Sequence, residues 1–154
     1  MWKQTNASVL IKETKILKFR AVNENPYHLS VGVILKTEEG WYVLHRRDDV
    51  YSCVTGTVDD NESLEECVHR EVMEEMGVTC SIDSYAGGTI CTVTDQRGTF
   101  QKTTVWFVCT KTSEYGMRTD DLDASVVEIP EEGLCIVDTD LPRWPTHINV
   151  FSKK

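Results

Sequence analysis

The chain has 154 residues, 40% of them hydrophobic and 27% charged, which is enough to bury the core of one domain. Its net charge of −9 argues against a protein that holds long nucleic acid by its phosphates, because such binding needs a basic surface. A small phosphorylated ligand is compatible with this charge if divalent cations reverse the sign locally. We therefore expect any phosphate chemistry here to be metal-assisted.

The N-terminus and the cysteines indicate the compartment. The opening stretch MWKQTNASVLIKETK is too polar for a signal peptide, and no apolar run reaches the length of a membrane span. The six cysteines form no CxxC pair and mostly have apolar neighbours, which favours buried reduced thiols over zinc ligands or disulfides. We expect a cytoplasmic protein with no membrane partner.

The first half of the chain predicts a short series of strands. Residues 8–22 contain two β-rich pieces around a polar KETK break, which indicates a hairpin or a bent strand. We assign residues 1–27 to an N-terminal extension of a single domain, residues 1–154. The apolar run 28–35 is typical of a buried central strand, and residues 41–47 return as its partner. We expect the following segment, up to the helix, to be a loop.

The next element is a helix with well-marked ends. Ser63 and Glu66 form a capping box at its start, and Gly77 is placed for a left-handed C-cap. After the helix, two β-rich runs flank the turn Asp95–Gly98 and predict a second hairpin, and a further strand is expected at 125–129. Strands on both sides of one helix indicate a mixed sheet in an α/β or α+β domain.

The predicted helix carries Glu71, Glu74 and Glu75 within about one turn, although like charges at this spacing repel each other. On a helical wheel they lie at the edge of the apolar arc rather than opposite it. The arc itself consists of Leu64, Cys67, Val68, Val72 and Met76. Because crowded, partly desolvated carboxylates need a positive partner, this position favours a Mg²⁺ or Mn²⁺ site, with a solvated acidic helix as the alternative.

The spacing of these residues matches a known motif. The fixed positions in the stretch GTVDDNESLEECVHREVMEEMGV are Gly56, Glu62, Arg70, Glu71, Glu74, Glu75 and Gly77. This pattern resembles the complete Nudix box, and the resemblance extends to the strands before and after it. It implies an α/β/α sandwich with a mixed sheet, in which the box forms a loop–helix–loop metal site.

The resemblance also implies an activity, namely Mg²⁺- or Mn²⁺-dependent hydrolysis of nucleoside diphosphates linked to another moiety. By position, Glu71, Glu74 and Glu75 are implied as metal ligands, and a main-chain carbonyl near Thr55 or Gly56 as a further ligand. The implied mechanism is attack of water on a phosphorus, with one glutamate of the cluster taking the proton.

The supporting residues of the box also have implied roles. Arg70 is expected to orient the glutamates, and Glu62 to brace the loop against the helix. Some relatives use an acidic residue of a later loop as the base. Asp120, Asp121 and Asp123 are the candidates for such a base here, and an ordinary polar loop is the alternative.

The chain departs from the family pattern at the entrance of the box. Many members have Pro-Gly-Gly where this chain has Val54-Thr55-Gly56, so the geometry of the carbonyl ligand can differ. Markers of the ADP-ribose and dinucleoside polyphosphate subclasses are missing downstream of the box. We expect a nucleoside triphosphate or a dinucleoside polyphosphate as substrate. The alternative function is a non-catalytic module that binds nucleotide or protein, and a homodimer is left open.

Residues outside the box are candidates for binding the substrate. His45, Arg46 and Arg47 end a strand that leads toward the site, and arginine suits bidentate phosphate contacts, although a solvated strand end fits equally well. Lys102 is a further phosphate candidate, with an exposed edge position as the alternative. Tyr51 and Trp106 are candidates for stacking on a base, and Trp106 equally fits a core position.

Overall fold

The computed structural model describes residues 19–22, 25–48 and 50–132, so most of the predicted hairpin at 8–22 lies outside the described residues. The described part contains seven strands and one α-helix. Their bounds are β1 Tyr27–Lys36, β2 Tyr42–Arg47, β3 Val50–Ser52, β4 Val54–Thr57, α1 Leu64–Met76, β5 Cys80–Asp95, β6 Gly98–Lys111 and β7 Ser125–Ile129.

Strand β1 is the centre of a mixed sheet. It pairs in parallel with β6 along its whole length, and antiparallel with β2 and β4 on its other edge. Strand β5 adds to β6, and β7 adds to β2, both antiparallel. The predicted mixed sheet, the β1–β2 pair, the second hairpin and the strand at 125–129 are confirmed. Strand β5 begins seven residues before the predicted GGTICTVT run.

The prediction of a loop between the β1–β2 pair and the helix is wrong, because half of the segment 48–61 is strand. Residues 50–52 pair with the end of β2, and residues 54–57 pair with the middle of β1. The segment therefore fills the gap where β1 and β2 diverge. Its aspartates and glycine indicate a loop locally, but the backbone groups of the two diverging strands provide hydrogen-bond partners that a local pattern does not reveal.

Helix α1 begins and ends where its capping residues predict. Ser63 accepts from the main-chain N–H of Glu66, whose carboxylate accepts from Ser63 N–H in return, so both halves of the capping box are present. Gly77 ends the helix with φ 72°, and its N–H donates to the carbonyl of Met73. A Cβ at Gly77 would also overlap the carbonyl of Gly116, so this position requires glycine for two reasons.

The sheet buries apolar side chains on both faces. On the helix face, Val31, Val33 and Leu35 of β1 pack with the apolar arc of α1. On the opposite face, Ile34 packs in a second cluster with Trp106, whose ring covers Gly32 so closely that a Cβ there would overlap it. This double burial is the reason why the sequence of β1 is almost continuously apolar.

The fold class is α+β, a mixed sheet with a helix packed on one face, as predicted. In the described ranges α1 is the only α-helix, so the second helical layer of the implied sandwich is not seen among these residues. Across those same ranges, no helix has the length and apolarity needed to cross a bilayer. Cys53, Cys67, Cys80 and Cys109 are free and buried, as expected, whereas Cys91 is exposed, and Cys135 lies outside the described residues.

Candidate active site

Arg70 donates most of the side-chain hydrogen bonds among the acidic residues of α1 and the loop before it. Its Nε and Nη2 donate to the two carboxylate oxygens of Glu62 at 2.6 and 3.0 Å, a bidentate pair. Nη2 also donates to the carbonyl of Thr57, which ties the helix to the end of β4. Glu62 in turn accepts from the main-chain N–H of Asp59, and its hydrogen bond with Arg70 holds the pKa of Glu62 below the ordinary value. The loop and the helix are thus held together by charge-assisted hydrogen bonds.

The same guanidinium reaches two of the clustered glutamates. Nη1 of Arg70 donates to Glu71 Oε1 at 3.0 Å and to Glu74 Oε1 at 3.3 Å. The third, Glu75, is buried and makes no ion pair with a lysine or arginine of the described residues. One cation therefore serves several carboxylates, and the site has an excess of negative charge.

Gly56 lies directly beneath Glu71. A Cβ built on Gly56 would overlap the Glu71 carboxylate, so only glycine lets that carboxylate lie flat on strand β4. On the same strand, Thr55 faces the other way and lines the cavity described below. The main chain at 55–56 therefore runs between the carboxylate cluster and the cavity.

Burial and mutual repulsion change the ionisation of the cluster. Burial, offset in part by Arg70 and reinforced by Glu74, raises the pKa of Glu71 to about 7. Burial, followed by repulsion from Glu71 and Asp121, raises the pKa of Glu75 to about 9. Such carboxylates hold a proton or a metal ion more readily than solvated ones, and perturbed pKa values of this kind are typical of functional sites.

The loop after β6 brings two further carboxylates to the cluster. The main-chain N–H groups of Thr119 and Asp120 donate to the carbonyl of Glu74, and Arg118 reaches the carbonyl of Glu75, so the loop caps the C-terminal end of α1. Arg118 also donates to the carbonyl of Ala124, which closes the loop on itself. These hydrogen bonds fix the loop at the end of the helix where the glutamates cluster.

As a result, two groups of three ligand atoms lie side by side. Glu71, Glu74 and Asp120 form one group, and His45, Glu75 and Asp121 form the other, with the ligand atoms of each within 4.8 Å of one another. Oxygen-rich groups of this size suit Mg²⁺ or Mn²⁺. The residues present therefore fit a divalent cation, and the excess carboxylates with raised pKa values are the observation that supports it.

The third aspartate of the loop has a different partner. Asp123 accepts a bidentate pair from Arg47 at 3.1 and 2.8 Å, and this pair lowers the pKa of Asp123. Arg47 also lies 3.6 Å from Asp121. Of the three base candidates, the structure thus brings Asp120 and Asp121 to the cluster and places Asp123 at its outer rim.

A cavity of about 360 Å³ adjoins the carboxylates on the sheet face opposite α1. Such a volume lies in the range of small-molecule sites. Its lining consists of His45, Arg47, Ser52, Cys53, Thr55, Glu75, Thr89, Cys91, Lys102, Thr104, Trp106 and Asp121. Glu75, His45 and Asp121 belong both to the cavity and to the second group of ligand atoms, so a molecule in the cavity reaches the carboxylates directly.

The residues predicted to bind the substrate fall into two groups, those that line this cavity and those that do not. Arg47, Lys102 and Trp106 line it, and the indole N–H of Trp106 donates to the Thr89 hydroxyl at 3.0 Å. Arg46 and Tyr51 are not among its lining residues. Arg46 is exposed and donates to the carbonyl of Asp48, while Tyr51 packs against the second core cluster.

Sequence reasoning assigned no metal or catalytic role to His45 or Arg118. His45 is 4% exposed and its Nε2 lies 2.9 Å from the carbonyl of Glu75. The sequence does contain a hint of a role for His45, because a histidine among the buried residues of a strand needs a polar partner. Arg118 carries no such signal, because its contacts with the end of α1 depend on a long loop.

The fold belongs to one class of solved structures. Similar folds are found in the MutT protein from Methanosarcina mazei (TM-score 0.59, 22% identity, 82% of this chain and 90% of that one) and in a NUDIX hydrolase from Nitrosomonas europaea (TM-score 0.56, 17% identity, 68% and 72%). A NUDIX family hydrolase from Clostridium perfringens gives a TM-score of 0.54 at 17% identity, over 71% of this chain and 85% of that one.

The family is shown by a second comparison, because a model of the NUDIX domain matches residues 26–142. The chain belongs to the NUDIX family. It is also 48% identical over 42 residues to the NAD-capped RNA hydrolase NudC of Chromobacterium violaceum. That match spans 27% of this chain and 16% of NudC.

Proposed function

We propose that the chain hydrolyses a pyrophosphate bond in a nucleoside diphosphate linked to another moiety, with Mg²⁺ or Mn²⁺ as cofactor. The observation that carries this proposal is the position of the carboxylate cluster. Five carboxylates from α1 and the loop after β6 cluster together, and two of them, Glu75 and Asp121, line a cavity of about 360 Å³. A nucleotide in that cavity would place its phosphates against the carboxylates, which is favourable only with cations between them.

In the proposed reaction, a bound cation neutralises phosphate oxygens and lowers the pKa of the attacking water. Glu71, Glu74 and Asp120 would hold it, together with a main-chain carbonyl at Thr55 or Gly56. Arg70 keeps Glu71 and Glu74 oriented through its hydrogen bonds to both. The chain's own residues thus fix the geometry before a substrate arrives, which lowers the cost of reorganisation.

We assign the proton-accepting role to Glu74. Its side chain is 35% exposed, whereas those of Glu71 and Glu75 are 7% and 6% exposed, so Glu74 is the box glutamate that solvent water reaches most easily. Asp120 and Asp121 are the alternative bases, because the loop brings them to the same cluster.

The cavity supports a nucleotide with a compact phosphate chain. Lys102 and Arg47 are the lysine and arginine that line it, while Thr89 and Thr104 contribute hydroxyl groups and Trp106 an aromatic wall. We propose nucleoside triphosphates and dinucleoside polyphosphates as the first substrates to test. The resemblance of a short segment to a NAD-capped RNA hydrolase adds NAD and NAD-capped RNA as further candidates.

The direct test is a substrate panel with Mg²⁺ in which release of phosphate and nucleotide is measured. We expect turnover of at least one candidate, and a loss of kcat by about 100- to 10,000-fold in Glu74→Gln, the usual range for a general base. Glu65→Gln is the matched control, because Glu65 lies in the first turn of the same helix and outside the cluster. Binding without turnover would identify the non-catalytic module instead. A fully active Glu74→Gln variant would remove Glu74 from the mechanism.

Two expectations about the whole protein stay predictions, namely that residues 1–154 form one domain and that the protein works in the cytoplasm. The homodimer is left open, and light scattering coupled to gel filtration would measure the oligomeric state directly.

A further inference from the structure

Two threonines lie opposite each other at the side of the cavity away from the carboxylates. Thr89 of β5 and Thr104 of β6 are direct partners in the antiparallel pairing, so their side chains project from the same face of the sheet, and both line the cavity. Thr94 and Thr99 are also direct partners on these two strands, and their hydroxyls are joined by a hydrogen bond of 3.0 Å. Among the hydrogen bonds of the described residues, none joins the hydroxyls of Thr89 and Thr104.

Trp106 explains why the cavity pair differs. Its indole N–H donates to the Thr89 hydroxyl at 3.0 Å, while its ring packs over Gly32. Because an indole nitrogen can only donate, the Thr89 oxygen is the acceptor and its own proton is left to be donated. No acceptor for this proton is found in the described ranges. A hydroxyl that already accepts a hydrogen bond is also the stronger donor, so Thr89 presents a good donor to the cavity.

The hydroxyl of Thr104 is buried without a partner. The residue is 5% exposed and lines the cavity, and its hydroxyl makes no hydrogen bond to a residue in the described ranges. A buried hydroxyl without a hydrogen bond is unfavourable, and native structures rarely contain one without a reason. A ligand group in the cavity would supply the missing bond.

The two hydroxyls together fit one carbonyl oxygen. Directly opposed residues have Cβ atoms about 4.5 to 5.5 Å apart, and a hydroxyl donates over about 2.8 Å, so an oxygen atom between Thr89 and Thr104 lies within reach of both. A carbonyl oxygen has two lone pairs and accepts both protons. A ring nitrogen accepts one proton, and an exocyclic amino group on an aromatic ring donates instead. A phosphate would have to leave its charge in a neutral, buried place, which is costly.

The pair lies at a suitable distance from the carboxylate side of the cavity. Thr55 of β4 and Thr104 of β6 are on strands that flank β1 on its two edges. Two interstrand spacings separate these strands, or about 10 Å. A nucleotide with its phosphates near Thr55 would therefore extend its base toward Thr89 and Thr104.

We propose that Thr89 and Thr104 bind an exocyclic carbonyl oxygen of the nucleobase, and that the protein prefers bases with such a carbonyl over adenine. Thr104 is then a residue that determines specificity, and Trp106 positions Thr89 by occupying one of its lone pairs. An amino group in place of the carbonyl would leave both hydroxyl protons without an acceptor. This inference rests on the proposed function and names the class of nucleotide that the same cavity takes.

The test is a titration with inosine and with adenosine, two nucleosides that differ at one exocyclic group, a carbonyl in the first and an amino group in the second. Binding is followed by the NMR signal of the Trp106 indole N–H, which is assigned by its loss in Trp106→Phe. We expect inosine to bind about tenfold more tightly than adenosine, the scale of a buried hydrogen bond that is made in one case and lost in the other.

Thr104→Val keeps the branched shape of the side chain and removes the hydroxyl. It should weaken inosine binding by about tenfold and leave adenosine binding unchanged, whereas Thr104→Ser should retain the preference. Since the hydroxyl has no partner among the described residues, Thr104→Val should leave the midpoint of urea unfolding unchanged or raise it. Thr94→Val is the matched control on the same strand pair, because Thr94 is exposed, and it should not change either affinity.

Equal affinities for the two nucleosides, or no shift of the Trp106 signal with either, overturns the carbonyl site. So does a lower unfolding midpoint in Thr104→Val, which would mean that its hydroxyl has a partner within the protein. A larger shift with inorganic phosphate than with inosine would identify an anion site instead and overturn the proposal. Nucleosides have no phosphate to hydrolyse, so a failure of turnover would remove the proposed function while this titration still reports on the two threonines.

Discussion

Two sides of the site are built on different principles. The helix wall is the carboxylate side, formed on α1 by Arg70, Glu71, Glu74 and Glu75, and the sheet wall is the cavity side, formed by Lys102, Thr104 and Trp106. On the helix wall, Arg70 makes several hydrogen bonds, and two of them hold Glu71 at 3.0 Å and Glu74 at 3.3 Å. On the sheet wall, Lys102, Thr104 and Trp106 line the cavity from one face of the regular strand β6. The first wall is positioned before any ligand binds, whereas the second is shaped mainly by which side chains the strand carries. Under the proposed function, the chemistry would therefore depend on the helix wall and the choice of substrate on the sheet wall.

The largest expected effect comes from a change of one methyl group on the helix wall. In Gly56→Ala, the new Cβ displaces the Glu71 carboxylate, so the cation ligands no longer converge. We expect kcat/KM to fall by at least about 100-fold, which corresponds to about 2.7 kcal/mol of transition-state stabilisation. Steady-state kinetics on the best substrate of the panel measures this.

Gly88→Ala is the control for that change. Gly88 lies on β5 of the sheet wall, and a Cβ there makes only ordinary contacts, the nearest at 3.5 Å from the carbonyl of Thr104. We expect full activity in this variant. Equal losses of kcat/KM in both variants would show that activity depends on the general geometry of the strands and not on the contact between Glu71 and Gly56.

The helix wall could be predicted from the sequence because its determinants are local. Ser63 and Glu66 define the start of α1, Gly77 defines its end, and the 3.6-residue period then fixes which side of the helix carries Glu71 and Glu75. The resemblance to the Nudix box predicts the roles of these glutamates as metal ligands and as the proton acceptor. Burial of both glutamates agrees with their predicted place at the edge of the apolar arc.

The sheet wall could be predicted only in part, because its contacts are distant in sequence. Lys102 and Trp106 were candidates by residue type, but their shared cavity with His45 depends on the parallel pairing of β1 with β6. The same applies to Asp120 and Asp121, which reach the cluster through hydrogen bonds from the loop to the end of α1. Such long-range pairings leave no local periodicity to read.

The next effect concerns the stability of the metal-free protein. The pKa values of Glu71 and Glu75, about 7 and about 9, lie above the ordinary value of 4.5. Between pH 4.5 and pH 9 these two groups hold more protons in the folded chain than in the unfolded chain. Their contribution to stability is therefore fully present below pH 4.5 and is lost as the pH rises through 7 and 9. The slope approaches about 1.4 kcal/mol per pH unit for each carboxyl, so we expect each of the two groups to contribute a loss of about 2 kcal/mol between pH 5 and pH 7.

Urea unfolding in EDTA at pH 5, 7 and 9 measures this loss. Glu75→Gln should flatten the profile above pH 7, because the amide does not titrate. Saturating Mg²⁺ should restore stability at pH 8, by about 2.7 kcal/mol at a concentration of 100 times Kd. Metal-free protein that becomes more stable from pH 5 to pH 8 would contradict the raised pKa values, because it would mean that Glu71 and Glu75 are ionised in the folded state.

A smaller effect is expected when Arg70 is replaced by lysine, which keeps the positive charge. In Arg70→Lys, the bidentate pair with Glu62 and the shared contacts with Glu71 and Glu74 cannot all be made, because an ammonium group has no planar fork. We expect a loss of about 1 to 2 kcal/mol in the free energy of unfolding. Arg97→Lys is the control, since Arg97 pairs with Asp95 in an exposed turn. Similar stabilities of the two variants would mean that the hydrogen bonds of Arg70 contribute no more than an ordinary surface ion pair.

The smallest effect tests the sheet wall. Lys102 is a half-buried lysine that lines the cavity, and its ammonium group provides charge but no fixed hydrogen-bond fork. Lys102→Met keeps the length and the apolar stem of the side chain while removing the charge. If Lys102 binds a phosphate equally in the ground state and the transition state, KM rises and kcat is unchanged. We expect an increase of about fivefold in KM, or about 1 kcal/mol, which is typical of one charge at a partly solvated site. Lys36→Met, at the end of β1 over the ring of Tyr42, is the control and should leave KM unchanged. A fall in kcat at constant KM in Lys102→Met would instead place this lysine at the reacting phosphate, and the division between a chemical helix wall and a substrate-selecting sheet wall would be wrong.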